Sequence, residues 1–360
     1  MNKNYYCVIL AGGIGSRLWP SSSYKRPKQF LDIMGTGESL LQMTYKRYRK
    51  FIEPSNIIVV SNEIYKDITQ KQLPELPSEN LLLEPMRRNT VPSVTWAAVY
   101  LLNKNKNACM LITPADQMIN REDELQKDIL SGFEYISKNN RLLTMGIAPT
   151  RPETTYGYIQ ISDEMDKNIF KAQSFTEKPN IEFAKLFFES KEFLWNTGLY
   201  MWTAKTFIES VENSSSEFGT LMQTLRKNMK SGKQVIEIIN DTFSICPNIP
   251  LETGILEKVD NVDVMQCHFE WNDIGTWNQL YNILPKVKEG NVSIQSNAMF
   301  YNCEDCVVKL PEGKIAILQD LKNYVVVEEG NILMICKKDD QQSIRKFVND
   351  VQMNVGDDFV

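Results

Sequence analysis

The residues best suited to chemistry lie near the N-terminus, in Leu10-Ala11-Gly12-Gly13-Ile14-Gly15-Ser16-Arg17-Leu18-Trp19-Pro20, followed by Pro27-Lys28-Gln29-Phe30. Glycines placed directly after a strand let backbone N–H groups close on a polyphosphate without interference from Cβ atoms. Arg17 can clamp phosphate oxygens as a fork, and Lys28 can add a mobile point charge. A plain glycine turn would also show Gly-Gly-x-Gly, but Arg17, Pro27 and Lys28 at this spacing argue against that reading. Two other nucleotide loops fail on spacing. A dinucleotide fingerprint needs a third glycine where Leu18 stands, and the Gly-Lys-Ser/Thr ending of a Walker loop is absent.

A second group is acidic. The apolar run Leu111-Ile112-Thr113-Pro114-Ala115 ends in Asp116, a hard oxygen ligand able to hold Mg²⁺ against substrate phosphates. Asp273, inside Trp271-Asn272-Asp273-Ile274-Gly275-Thr276-Trp277, is the candidate second ligand. A strand-end Asp by itself commonly serves as a helix cap or turn residue. Only the phosphate loop lifts these two above that role, and the tryptophans around Asp273 could equally be core. Three more segments could line a sugar pocket: Tyr156-Gly157-Tyr158-Ile159, Glu177-Lys178-Pro179 and Trp195-Asn196-Thr197-Gly198. They offer a backbone N–H, a carboxylate with an ammonium, and an amide beside a glycine. Each alone reads as an ordinary loop.

These residues need a frame. Tyr5–Leu10 reads as an apolar strand, with further strands at Ile57–Val60, Leu81–Leu83, Met110–Thr113 and Leu142–Ile147. Helix-like segments at Ser39–Phe51, Thr90–Leu102 and Glu122–Lys138 alternate with them. That rhythm predicts an α/β fold, a parallel sheet covered on both faces, with ligands at the carboxyl ends of the strands. After about residue 285, short β runs follow without helices: Met299–Tyr301, Val307–Leu310, Ile315–Leu318, Tyr324–Val327 and Ile332–Ile335. They suggest a small β domain, a few coils of a solenoid, closed by a helix over Gln341–Val351. We place the boundary between 1–288 and 289–360.

Bulk properties narrow the classes. The chain has 360 residues, 42% hydrophobic and 24% charged, as expected of one large folded domain and a smaller one. With 40 Lys and Arg against 45 Asp and Glu, its net charge of −5 does not suit an extended nucleic-acid groove. No apolar run approaches the roughly 18 residues that span a bilayer, and no leader peptide is expected. Seven scattered cysteines fit a reducing cytoplasm. Cys303-x-x-Cys306 lacks a second Cys/His pair and reads as structural, not as a zinc site. The single histidine, His268, is expected to be a packed side chain, and Trp96 to be core.

Taken together, the chain resembles the mannose-1-phosphate guanylyltransferase family of sugar-phosphate nucleotidyltransferases. The likeness rests on Ala11–Pro20, Pro27–Phe30, Glu84-Pro85, Arg88-Asn89-Thr90-x-Pro92, Pro114–Asp116, Tyr156–Ile159, Glu177–Pro179, Glu257-Lys258 and Trp271–Gly275. The phosphate loop is common to the wider family. Trp19, Gln29-Phe30 and Arg88-Asn89-Thr90 point to the guanylyl–mannose branch. The resemblance implies a nucleotide-diphospho-sugar transferase α/β domain, Rossmann-like with a mixed sheet between helices, then a short left-handed β-helix. It implies transfer of GMP from GTP to mannose 1-phosphate with Mg²⁺ on Asp116 and Asp273. Arg17, Lys28, Asp116 and Asp273 would be catalytic. Leu10, Ala11, Gly12, Gly13, Gly15, Glu84, Asn89, Thr90 and Pro114 would join Arg17 and Asp116 around the nucleotide. Gly157, Glu177, Lys178, Asn196 and Gly198 would hold the sugar phosphate.

Gln117, Thr155 and Glu252-Thr253 depart from the family pattern, the last two where sugar hydroxyls are read. Another hexose or a heptose 1-phosphate is therefore the alternative substrate. A silent regulatory subunit is the alternative of a different class. No isomerase activity is expected with one histidine, and exposed β edges allow a homodimer.

Overall fold

The computed structural model describes residues 1–214, 217–229 and 235–360. Aliphatic and β-branched runs bounded by turn residues form the strands. In chain order they are β1 (Tyr5–Leu10), β2 (Ile57–Asn62), β3 (Leu81–Glu84), β4 (Cys109–Pro114), β5 (Gln117–Asn120), β6 (Leu142–Ile147), β7 (Gly157–Asp166), β8 (Ile169–Glu177) and β9 (Phe193–Thr203). Then come β10 (Val262–Cys267), β11 (Glu270–Asp273), β12 (Val292–Ile294), β13 (Asn297–Tyr301), β14 (Val307–Lys309), β15 (Ile315–Gln319), β16 (Tyr324–Glu329) and β17 (Ile332–Lys337). The described residues form two compact units that alternate along the chain. One is Met1–Gly12, Tyr45–Pro114 and Ile119–Trp271; the other is Gly13–Thr44, Ala115–Met118 and Asn272–Val360.

The first unit holds a nine-stranded sheet in the order β3-β2-β1-β4-β9-β6-β10-β8-β7. β3, β2, β1 and β4 are parallel, as the strand–helix rhythm predicts. Beyond β4 the sheet is mixed, as the resemblance implies, which corrects the all-parallel sheet read from the strand–helix rhythm. The eleven-residue β9 runs antiparallel to both β4 and β6, and β7 and β8 add an antiparallel hairpin. Phe193–Thr203 carries two apolar runs, but its insertion between β4 and β6 is a long-range pairing that local pattern does not encode. The helix Thr90–Lys104 buries Val91, Val94, Trp96, Ala97, Ala98 and Leu101 among Trp202, Phe207 and Phe243. Full burial of one such large side chain contributes ~1.5–3 kcal/mol. Among the buried ionisable side chains of this unit, Asp263 of β10 is fully enclosed and accepts from Arg141 Nε at 2.7 Å and Tyr135 Oη at 2.8 Å.

In the second unit β12, β14 and β16 stack in parallel, as do β13 and β15, while β17 returns antiparallel to β16. Its core draws Leu18, Trp19, Leu31, Ile33 and Leu40 together with Ile274, Trp277 and Leu280, and with Val292, Val307, Val325 and Met334. Residues far apart in the chain therefore share one apolar cluster. Cys303 and Cys306 are buried in an adjoining cluster and all seven cysteines are free, in line with a structural role. His268 is exposed, so the expectation of a packed side chain is corrected; it lies in the connection between β10 and β11, flanked by the buried Cys267 and Phe269. Among the described residues, no helix is long and apolar enough to cross a membrane, and no group of three or more His, Cys, Asp or Glu could hold a metal by itself.

Candidate active site

The phosphate loop begins as β1 ends. Gly15 adopts φ 67°, which only glycine takes without strain, and a short 3₁₀ turn, Ser16–Leu18, follows at once. Side chains take up the loop's carbonyls: Gln29 Nε2 donates to Gly13 O at 2.8 Å, and Ser22 Oγ to Ile14 O at 2.8 Å. The N–H groups of Gly13, Ile14 and Gly15 donate to no other backbone group among the described residues. Nothing lies within 4 Å of the point where a Cβ on Gly13 would sit. Consecutive undirected amides beside the open space at Gly13 suit an anion.

Pro27 starts a second 3₁₀ turn, Lys28–Phe30, and sends Lys28 inward, leaving it 7% exposed. Its Nζ lies 2.7 Å from Asp116 Oδ2 and donates to Ile274 O at 2.8 Å. Ile274 directly follows Asp273. At Gly275 a Cβ would meet Asp273 Oδ2 at 2.8 Å, Gln279 Oε1 at 2.9 Å and Arg17 Nη2 at 3.1 Å. Asp273, Arg17 and Gln279 thus converge on one point, which residue 275 leaves open by having no side chain. The structure brings Arg17, Lys28, Asp116 and Asp273 into one cluster within the second unit. The site's most useful unnamed member is Gln279, whose Oε1 accepts Gly275 N–H at 3.0 Å and Thr276 Oγ1 at 3.1 Å. Thr276-x-x-Gln279 is a capping-box spacing, a legible signal for the helix Trp277–Ile283. Trp271 and Trp277 are buried, so the aromatic bracket is indeed packing.

Two carboxylates suit a hard cation, and the undirected amides suit the phosphate oxygens that would share it. Such ions take one or two protein carboxylates and complete their shell with substrate phosphates and water.

The remaining candidates lie in the first unit, where Leu10 and Pro114 end β1 and β4 as paired neighbours. Glu84, at the end of β3, is buried; its Oε2 comes within 3.2 Å of where a Cβ on Gly12 would sit. Ser93 donates to its other oxygen. Burial pushes the Glu84 carboxyl up to about 7, against the opposing pull of the Ser93 hydrogen bond and the Arg87 charge. Arg87 Nε also donates to Gly12 O at 3.2 Å. Asn89 caps the helix Thr90–Lys104, accepting Thr90 N–H at 3.0 Å, and Thr90 Oγ1 accepts Leu251 N–H at 2.8 Å. Both side chains serve local structure. Ala11 O accepts from Ser61 Oγ at 3.2 Å.

The sugar-side candidates form a lateral row. Gly157 on β7 pairs across to Glu177 on β8 and, on its other side, to Asn196 on β9. A Cβ at Gly157 would stand 2.6 Å from Glu177 Oε2. Asn196 Nδ2 donates to Glu252 Oε1 at 3.3 Å, and its Oδ1 accepts Gly198 N–H at 3.1 Å. Tyr200 Oη also donates to Glu252; burial, and then that carboxylate, drive its phenol well above its ordinary value. Lys178 pairs with Glu177 at the surface. Tyr200 is the member of this row that motif reading does not single out.

The nucleotidyl transferase family profile matches residues 6–290. A mannose-1-phosphate guanylyltransferase of Salmonella montevideo is 32% identical over 354 residues, 96% of this chain and 74% of that protein. The alginate biosynthesis protein AlgA of Pseudomonas putida is 32% identical over 346 residues, 95% of this chain and 70% of that protein. Among solved structures, a mannose-1-phosphate geranyltransferase from Thermus thermophilus matches with a TM-score of 0.86 at 24% identity, covering 97% of this chain and 99% of that one. That match supports the fold alone.

Proposed function

From the premise that this chain belongs to the nucleotidyl transferase family, we propose that it transfers GMP from GTP to mannose 1-phosphate, releasing pyrophosphate. The observation that carries this reading is the convergence of Arg17, Lys28, Asp116 and Asp273 beside the undirected amides of Gly13, Ile14 and Gly15. The triphosphate lies against those amides, and Arg17 and Lys28 take the charge that gathers on the leaving pyrophosphate. One such preorganised contact is worth roughly 10²–10³ in rate. Asp116 and Asp273 would hold Mg²⁺, which would supply charge neutralisation to the phosphates. The sugar phosphate attacks in line. A phosphate monoester is already largely dianionic near pH 7, with a second pKa of about 6, so no general base is required.

Glu84 offers its carboxylate to the two adjacent N–H donors of guanine, beside Gly12, Asn89 and Thr90. The row Gly157, Glu177, Asn196 and Gly198 receives the hydroxyls of mannose, with Lys178 near its phosphate. Residues 1–288 carry the chemistry and residues 289–360 brace it. The parallel stacking of β12, β14 and β16 supports a short β-helix there, which the resemblance makes left-handed. A reduced cytoplasm suits seven free cysteines, and a homodimer through the β coils is the expected assembly.

The test is pyrophosphate release across a matrix of GTP, ATP, UTP and dTTP with mannose, glucose and galactose 1-phosphates, in Mg²⁺ and then in chelator. Turnover confined to GTP with mannose 1-phosphate and lost in chelator supports the reading. A preference for another sugar would move the specificity to that sugar, and no turnover in any combination would overturn it.

A further inference from the structure

Lys28 has a place that its contact with pyrophosphate does not explain. Its ammonium is spent on protein: 2.7 Å from Asp116 Oδ2 and 2.8 Å from Ile274 O. We propose that Lys28 occupies the cation's position on Asp116 until nucleotide arrives, so that the divalent ion enters with the triphosphate and not ahead of it. This rests on the reading of Asp116 and Asp273 as the metal ligands.

Charge and shielding carry the first part. The pair is largely withdrawn from water, with side-chain exposures of 9% for Lys28 and 25% for Asp116, so salt screens it poorly. A divalent ion approaching Asp116 meets an ammonium already in contact with the oxygen it needs. Arg17 and Lys28 balance Asp116 and Asp273, leaving the cluster formally neutral, so a bare cation finds no net attraction there.

Steric confinement carries the second part. A Cβ at Gly15 would collide with Lys28 Cγ at 2.6 Å and Cδ at 2.9 Å, so the stem lies pressed on the phosphate loop. With that stem buried, the shortest move is rotation about its last bonds, which turns the ammonium from Asp116 towards the loop amides. A triphosphate seated on those amides supplies anionic oxygens in that direction. Lys28 then exchanges one ion pair for another and cedes Asp116. One side chain thereby makes metal entry conditional on nucleotide and arrives where the leaving group develops charge.

The experiment is calorimetric titration of the nucleotide-free full chain with Mn²⁺. Wild type should bind weakly, and Lys28→Met should bind more tightly by about tenfold or more, the reverse of what loss of a binding residue does. Lys28→Gln, which keeps a donor for Ile274 O, covers the case in which Lys28→Met does not fold. Loss of the gain when Asp116→Asn is added would support the proposal. Two folded variants with unchanged or weaker Mn²⁺ binding would overturn it and leave the metal ligands standing. A gain that survives both Asp116→Asn and Asp273→Asn would put the ion elsewhere, ending the metal reading and this proposal together.

Discussion

At the scale of single residues, Asp273 and Glu84 make opposite demands on their surroundings. Asp273 must stay ionised against Arg17 at the opening above Gly275. Asp273→Asn keeps the shape but removes the charge and exchanges one acceptor oxygen for an amide donor. It should lower kcat by roughly 10²–10³ or more with the fold intact, checked by steady-state kinetics beside circular dichroism. Near-normal turnover would remove it from the metal site. Glu84 is ionised only above about pH 7, because burial dominates its environment. As a guanine acceptor it works as the carboxylate, so KM for GTP should rise as pH falls through 7. Glu84→Gln should flatten that dependence, which separates Glu84 from the ionisation of the substrates. Stability runs the other way. A carboxyl whose folded value is raised from 4.5 to about 7 favours the folded state most below 4.5 and loses that contribution as pH rises to 7.

At the scale of elements, the sheet turns three unremarkable loops into one row. Gly157, Glu177 and Asn196 become lateral neighbours only because β7 lies between β8 and β9. Gly157→Ala would drive a methyl against Glu177, and KM for the sugar phosphate should rise about tenfold, the worth of one hydrogen bond to a charged group at ~1.5 kcal/mol. An unchanged KM would take Gly157 out of the pocket. The helix Gln341–Asn354 and the turn after it reach the phosphate loop through Trp19, whose Nε1–H donates to Phe359 O at 2.9 Å. Trp19 O in turn accepts from Trp277 Nε1 at 3.1 Å. Trp19→Phe should therefore lower kcat about fivefold for the loss of one hydrogen bond of ~1 kcal/mol, with KM for GTP little changed. An equal loss in thermal stability without a kinetic effect would make Trp19 purely structural.

The strands β1–β4, β6 and β13–β17 were legible because apolar runs and turn residues are local signals, whereas β5 and β7–β12 were not singled out. The phosphate loop was legible for the same reason, its glycines and bases being close in sequence. The insertion of β9, the ion pair of Lys28 with Asp116 and the packing of Phe359 on Trp19 were not. Each depends on residues brought together across long stretches of chain, and spacing alone carries no information about such partners.

At the scale of the molecule, the two units share the chain in alternating pieces. It passes from one to the other after Gly12, Thr44, Pro114, Met118 and Trp271, and all of those passages but the one after Thr44 fall within two residues of Gly13, Asp116 or Asp273. The apolar cluster around Leu18 and Trp19 needs Val292, Val307, Val325 and Met334 as much as it needs Trp277. A fragment ending at 288 should therefore lose the support of its own phosphate loop. It should be inactive and expose apolar surface to a hydrophobic dye, whereas a soluble, active fragment would show that the later strands are dispensable.

That shared cluster also sets a timetable for synthesis. The phosphate loop leaves the ribosome early, but the side chains that enclose Leu18 and Trp19 follow some 250 to 300 residues later. At about 5–20 residues per second the wait is on the order of tens of seconds. For that interval a nascent chain displays its apolar N-terminal segment without its cover, and holdase chaperones have a ready substrate.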